Sequence, residues 1–225
     1  MKGIIFDFDG LIFDTETPLY EAYQHIFKGF NAELPLEKFA QIVGTGLDVF
    51  HPYRYLEEQI GQSVLDEELD LKLEKHRLEV LEKADLRKGV REYLDQAKQQ
   101  GLKIALASSS ERSWIDKWLT HHKIDHYFSI IRTKDDVHKV KPDPELYEQA
   151  VKGLGLKKDD VFVFEDSLNG LTAARRAGLS CVIVPNRITS HLPFEDYQYR
   201  LNSMADMELV ELIKYIKENQ HSQTN

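Results

Sequence analysis

Two aspartates separated by one residue close the first apolar run of the chain, in Phe6-Asp7-Phe8-Asp9-Gly10. In extended chain, residues i and i+2 point to the same side, so both carboxylates can address one ligand. Gly10 allows a sharp turn directly behind them. Carboxylates this close repel and resist ionising together unless a cation intervenes. The pair therefore predicts a metal site, a division into nucleophile and proton carrier, or both. One aspartate at a strand end can simply serve a turn, but two acids beside a core cost more than a turn requires.

Three other places supply matching groups. Ser108-Ser109-Ser110 follows an apolar run and precedes a helix, which suits holding anionic oxygens or plain N-capping. Glu165-Asp166-Ser167 follows another apolar run. Its two acids could complete an oxygen-ligand magnesium site with Asp7, with helix capping by Asp166 as the simpler alternative. Lys141 stands before Pro142 in Lys139-Val140-Lys141-Pro142; taken alone it reads as a solvated surface lysine. Taken together, these groups provide what phosphoryl transfer demands: a nucleophile, a proton donor, metal ligands and a charge clamp.

The elements that must position them are legible as apolar runs. Residues 3–8, 103–107, 161–164 and 181–184, with a weaker run at 128–131, read as strands apolar on both faces. Helical stripes lie between them, such as Val90, Tyr93, Leu94 and Ala97, or Leu146, Tyr147, Ala150 and Val151. The alternation predicts an α/β fold with a doubly wound, Rossmann-like parallel sheet that binds ligands at the carboxyl ends of its strands. From 16 to 83 it gives way to four amphipathic stripes, through Leu19 and Tyr23, Phe39 and Ile42, Tyr53 and Leu56, and Leu69 and Leu73. This segment is expected to be a helical cap inserted into a catalytic core made of residues 1–15 and 84–225.

The formal net charge of -9 argues against a nucleic-acid partner and against an anionic membrane surface. No apolar run reaches the roughly 20 residues that span a bilayer. The one cysteine, Cys181, excludes an internal disulfide. A cytoplasmic protein is expected, a monomer or weak homo-oligomer acting on a small molecule. His122 and His126 are read as helix-end cations rather than metal ligands. Arg77 with its neighbours His76 and Lys75 is read as a solvated helix face, and Trp114 and Trp118 are expected to pack on the sheet. Gly44-Thr45-Gly46 reads as a loop, and the polar stretch from Glu218 is expected to fray.

In order and spacing, the chain resembles the haloacid dehalogenase superfamily, in the branch with a helical cap after the first strand. The motifs are Asp7-Phe8-Asp9-Gly10-Leu11-Ile12-Phe13-Asp14-Thr15, then Ser108, Lys141 before Pro142, and Glu165-Asp166-Ser167-Leu168-Asn169-Gly170. The resemblance implies a magnesium-dependent phosphomonoester hydrolase of small phosphorylated metabolites. It implies Asp7 as the nucleophile that becomes an aspartyl-phosphate, and Asp9 as the acid that protonates the leaving oxygen and then activates water. Ser108, Ser109 and Lys141 would hold the phosphoryl group. Magnesium would take Asp7, the Asp9 carbonyl, Asp166, and Glu165 directly or through water. An acid at Asp9 sets the chain apart from the dehalogenases. The alternative is a β-phosphoglucomutase-like sugar phosphomutase. That branch carries histidine where this chain has Leu19 and an arginine in the cap loop, which here reads Val43-Gly44-Thr45-Gly46-Leu47, so hydrolysis is favoured.

Overall fold

The computed structural model describes residues 1–43, 50–64 and 67–220. The strands are β1 (Gly3–Phe6), β2 (Lys103–Ala107), β3 (Ile130–Arg132), β4 (Val161–Glu165), β5 (Ser180–Ile183) and β6 (Tyr199–Arg200). They form one parallel sheet in the order β3-β2-β1-β4-β5-β6. The chain winds outward from β1 to β3, then returns and winds the other way from β4. That reversal opens a crevice at the carboxyl ends of β1 and β4.

The helices are α1 (Glu16–Gly29), α2 (Leu36–Phe39), α3 (Pro52–Ile60), α4 (Glu67–Leu81), α5 (Val90–Gln99), α6 (Arg112–His121), α7 (Glu145–Leu154), α8 (Leu168–Arg176) and α9 (Leu209–Gln220). Strand alternation sorts the sheet's side chains into two cores. Ile4, Phe6, Ile104, Leu106, Phe162 and Phe164 pack with α5, α6 and α9. Ile5, Ala105, Val161, Val163 and Ile183 pack with α7 and α8 on the other face. Both layers are covered, which is why the strands are apolar throughout. Fully burying one of these large side chains stabilises the fold by about 1.5–3 kcal/mol.

Helices α1 to α4 form a third cluster of their own, through Tyr20, Tyr23, Phe27, Phe39, Tyr53, Leu56 and Leu73. Ile188, from the segment after β5, reaches into it fully buried. The stripe expected through Phe39 and Ile42 is one turn of α-helix continued by a 3-10 turn, Ala40–Ile42. Gly44-Thr45-Gly46 lies outside the described residues.

The structure departs from the expected strands in specific ways. The first run ends at Phe6, because the Phe8 carbonyl turns to accept the N–H groups of Leu11, Ile12 and Phe13. A 3-10 turn at Asp125–Tyr127 pushes the weak third strand on to Ile130–Arg132. Strand β6 is two half-buried residues with no apolar run to announce it. Helix α9 continues through Gln220, into the stretch expected to fray.

Candidate active site

Asp7 lies one residue past β1, yet its N–H still donates to the Phe164 carbonyl at 3.1 Å. Because Phe6 pairs with Phe164, that continued register sets Asp7 beside Glu165. Lys141 closes the space between them: its Nζ donates to Asp7 Oδ1 at 2.5 Å and to Glu165 Oε1 at 2.6 Å. The lysine side chain is 2% exposed, a buried clamp rather than the solvated residue its local sequence suggested. Burial alone would push its ammonium down, but the Asp7 and Glu165 carboxylates outweigh burial and hold it above the ordinary lysine range.

Glu165 is saturated. Its Oε1 accepts from Lys141 and from the Tyr147 hydroxyl at 2.5 Å. Its Oε2 accepts from the Asp166 N–H, the Ser167 N–H and Ser167 Oγ at 3.0, 3.2 and 3.0 Å. Gly170, in the first turn of α8, lies against this carboxylate, and a Cβ there would overlap its oxygens. Glycine to alanine inside a helix ordinarily stabilises by about 1 kcal/mol. Gly170→Ala is instead expected to destabilise by about 1–3 kcal/mol, the cost of overpacking a fixed group. The sign of the change in a urea titration checks this.

Asp166 is not spent on capping. Ser167 caps α8 by accepting the Gly170 N–H. Asp166 Oδ2 accepts from Asn186 Nδ2 at 2.8 Å, while Oδ1 is buried with no donor among the described residues. Asp7, Glu165 and Asp166 each offer a carboxylate oxygen within 4.8 Å of the others. Burial pushes Asp7 up to about 8 against the pull of Lys141. Burial, then the charges of Glu16 and Asp7, raises Asp166 well above the carboxylate range. Hard oxygen donors that repel one another, one of them unpartnered, fit a divalent cation such as magnesium.

Asp9 stands apart from that cluster. Its Oδ1 accepts from Thr15 Oγ1 at 2.8 Å and from the Trp114 indole Nε1 at 2.9 Å. Its Oδ2 accepts from Ser110 Oγ at 2.6 Å and Ser108 Oγ at 3.3 Å. The three serines do not cap α6; Glu111 takes that position. They follow β2 into the crevice, and Ser109 Oγ is buried with no hydrogen-bond partner among the described residues. Gly10 has φ +79°, and a Cβ there would meet Asn186 Nδ2 at 2.6 Å and Glu16 Oε2 at 2.8 Å. Arg87 fixes the loop from behind, donating to the carbonyls of Gly10, Val184 and Pro185 at 2.6, 2.8 and 2.7 Å.

These groups open on a cavity of about 540 Å³. Of the residues expected from sequence, Asp7, Asp9, Ser108, Ser109, Lys141 and Asp166 line it, and Glu165 stands behind the wall. Helices α1 and α4 roof it with Leu19, Tyr23, Leu73, Glu74 and Arg77. Arg77, expected to face solvent, therefore faces the cavity, while His76 stacks on His25 on the other side. Sequence reasoning missed Glu16, Trp114, Tyr147 and Asn186. Their partners are remote in sequence, so no local spacing announces them. His122 is also not the cation expected: burial lowers its pKa, and its ring packs on Phe13 at 4.6 Å.

The family model described as haloacid dehalogenase-like hydrolase matches residues 4–184. A candidate phosphatase of Bacillus subtilis (strain 168), YhcW, is 48% identical over 96% of this chain and 98% of its own. The phosphorylated carbohydrates phosphatase of Thermotoga maritima is 32% identical over 80% of this chain and 82% of its own. Among solved structures, a candidate β-phosphoglucomutase from Thermotoga maritima superposes with a TM-score of 0.74 at 25% identity, covering 95% of this chain and 99% of that one. The chain belongs to the haloacid dehalogenase-like hydrolases and is a phosphatase.

Proposed function

We propose that the chain is a magnesium-dependent phosphomonoesterase of small phosphorylated metabolites, working through an aspartyl-phosphate on Asp7. The observation that carries this reading is the buried Asp7–Lys141–Glu165 chain, set beside the unpartnered Asp166 oxygen and open to one cavity. Ser108, Ser109 and Lys141 hold the phosphoryl oxygens. One Asp7 oxygen is held by Lys141, which leaves the other to attack phosphorus. As the ester P–O bond breaks, Asp9 gives a proton to the leaving oxygen. Asp9 then takes a proton from the water that attacks the aspartyl-phosphate, releasing phosphate and restoring Asp7.

Asp7, Asp166 and the Asp9 carbonyl would hold magnesium, with Glu165, already saturated, acting through Lys141 and the Asp166 N–H. Bound there, the ion supplies charge stabilisation to the transferring phosphoryl group. In this reading residues 16–83 are the cap and residues 1–15 with 84–225 the catalytic core. Cap closure excludes water and selects the substrate. Leu19 lies on the cavity wall where the mutase branch carries histidine, which favours transfer to water over transfer to a sugar hydroxyl. A cytoplasmic setting fits the free, buried Cys181. Among the described residues no helix is long and apolar enough to cross a membrane.

Two measurements test the proposal. Phosphate release from a panel of sugar phosphates should require magnesium and yield no isomer; isomerisation without phosphate would favour the mutase. Metal binding should also follow pH with a definite sign. With Asp7 raised to about 8, the metal-free site holds a proton at neutral pH that the cation must displace. Magnesium affinity by calorimetry should therefore climb as pH rises through neutrality toward 8, with protons released on binding. A flat profile would contradict it.

A further inference from the structure

Trp114 carries a hydrogen bond that packing on the sheet does not explain. Its ring lies edge-on to Trp118 at 5.5 Å, at the margin of the core. Its Nε1–H reaches out to Asp9 Oδ1 at 2.9 Å. Trp114 lines an adjoining recess with Arg77, Ser109 and Ser110, three residues that also line the cavity. Over the ring lies Arg77 of α4, with the guanidinium carbon 4.4 Å from the ring centroid. The indole thus joins a helix of the roof to one oxygen of the acid.

The donors around Asp9 are not equivalent. Hydroxyls of Thr15, Ser108 and Ser110 can donate or accept, and can turn when Asp9 gains a proton. The indole N–H can only donate. While it points at Oδ1, it favours that oxygen as the carbonyl, the stronger acceptor of a protonated carboxyl, and so favours an Asp9 proton on Oδ2. Oδ2 is the oxygen beside Ser110 and Ser108, and both serines line the cavity. A cation over the ring face draws electron density from the indole and strengthens its N–H as a donor.

We infer that Trp114 is a positioning residue that keeps Asp9 Oδ1 an acceptor and so places the transferable proton on Oδ2, with Arg77 reinforcing that bond from the cap. The inference rests on the hydrolase reading and adds to it the atom that carries the proton and the residue that assigns it. The alternative, a tryptophan that merely packs, would leave the proton free to reside on either oxygen.

Leaving-group dependence separates the two. The kcat/KM value reports the step in which the ester bond breaks, before Asp9 acts as base. Phenyl phosphate and 4-nitrophenyl phosphate have closely similar shape, but only the unsubstituted phenolate strongly needs a proton as it leaves. Trp114→Phe removes the N–H and keeps an aromatic ring. It should lower kcat/KM for phenyl phosphate by about 10- to 100-fold, a part of what general acid catalysis contributes, and for 4-nitrophenyl phosphate by less than about 3-fold. Arg77→Met leaves the core untouched and should show the same selectivity at smaller amplitude, so it carries the test if Trp114→Phe proves unstable in a melt. Equal losses on the two esters, or none on either, would overturn the assignment while leaving the hydrolase reading intact. A wild type inactive toward both esters with magnesium would overturn both.

Discussion

Asp7→Asn is expected to abolish phosphate release, by at least about 10⁴-fold in kcat, the scale seen when a nucleophile is removed. The substitution keeps the side chain's shape and takes away its charge. An amide cannot attack phosphorus and be regenerated, whatever else in the site is intact. The fold should survive, because Lys141 retains Glu165 as counter-ion at 2.6 Å and Tyr147 still donates to the same carboxylate. The expected result is therefore a cooperative thermal transition close to that of the wild type, together with no turnover of any substrate the wild type accepts. Phosphate assays and a melt on the same preparation read both. Residual activity beyond trace contamination by wild type would remove Asp7 from its role.

Lys141→Met should produce the largest loss of stability, together with a loss of activity. The ammonium is the cation in contact with both Asp7 and Glu165, and Glu165 is fully buried. Breaking a buried pair by deleting one partner leaves uncompensated charge and costs about 3–5 kcal/mol. Urea denaturation in metal-free buffer measures this. Activity should fall by about 10²- to 10³-fold, the usual consequence of losing one group that stabilises transition-state charge. Lys141→Arg should not rescue it, because a planar fork does not fit a site shaped for a point charge. Adding Glu165→Gln to Lys141→Met removes one of the orphaned charges. The double variant should recover part of the stability and none of the activity, a coupling expected of residues in direct contact.

Much of this arrangement was legible from residue types. The apolar runs ending in Asp7, Ser108 and Glu165 mark strands, and a doubly wound sheet brings its strand ends to one edge whatever their order in the chain. The helices α1 to α4 after β1 were equally plain, since amphipathic stripes at helical spacing need no tertiary information. What escaped depends on contacts between remote segments. That Lys141, read as a charge clamp, is buried between Asp7 and Glu165 was not legible, because nothing in its own neighbourhood shows that they surround it. Glu165 was read as a metal ligand, directly or through water, and its carboxylate lies within 4.8 Å of those of Asp7 and Asp166; that Tyr147, Lys141 and Ser167 also hold it was not legible. Trp114 was assigned to the core by its hydrophobicity, although an indole also carries a donor. The short β6 pairs in parallel with β5 and has too few residues for any periodicity.

The central claim is that the phosphoryl group passes through Asp7. It is tested most directly by quenching the wild-type protein with acid during turnover with magnesium and a phosphate ester, then mapping the modification by peptide mass spectrometry. One phosphoryl group should appear on the peptide containing Asp7, labile to hydroxylamine and reducible by borohydride as an acyl phosphate, and it should be absent from Asp7→Asn. Rapid turnover with no covalent phosphate at any time, or with the phosphate on another residue, would contradict the account.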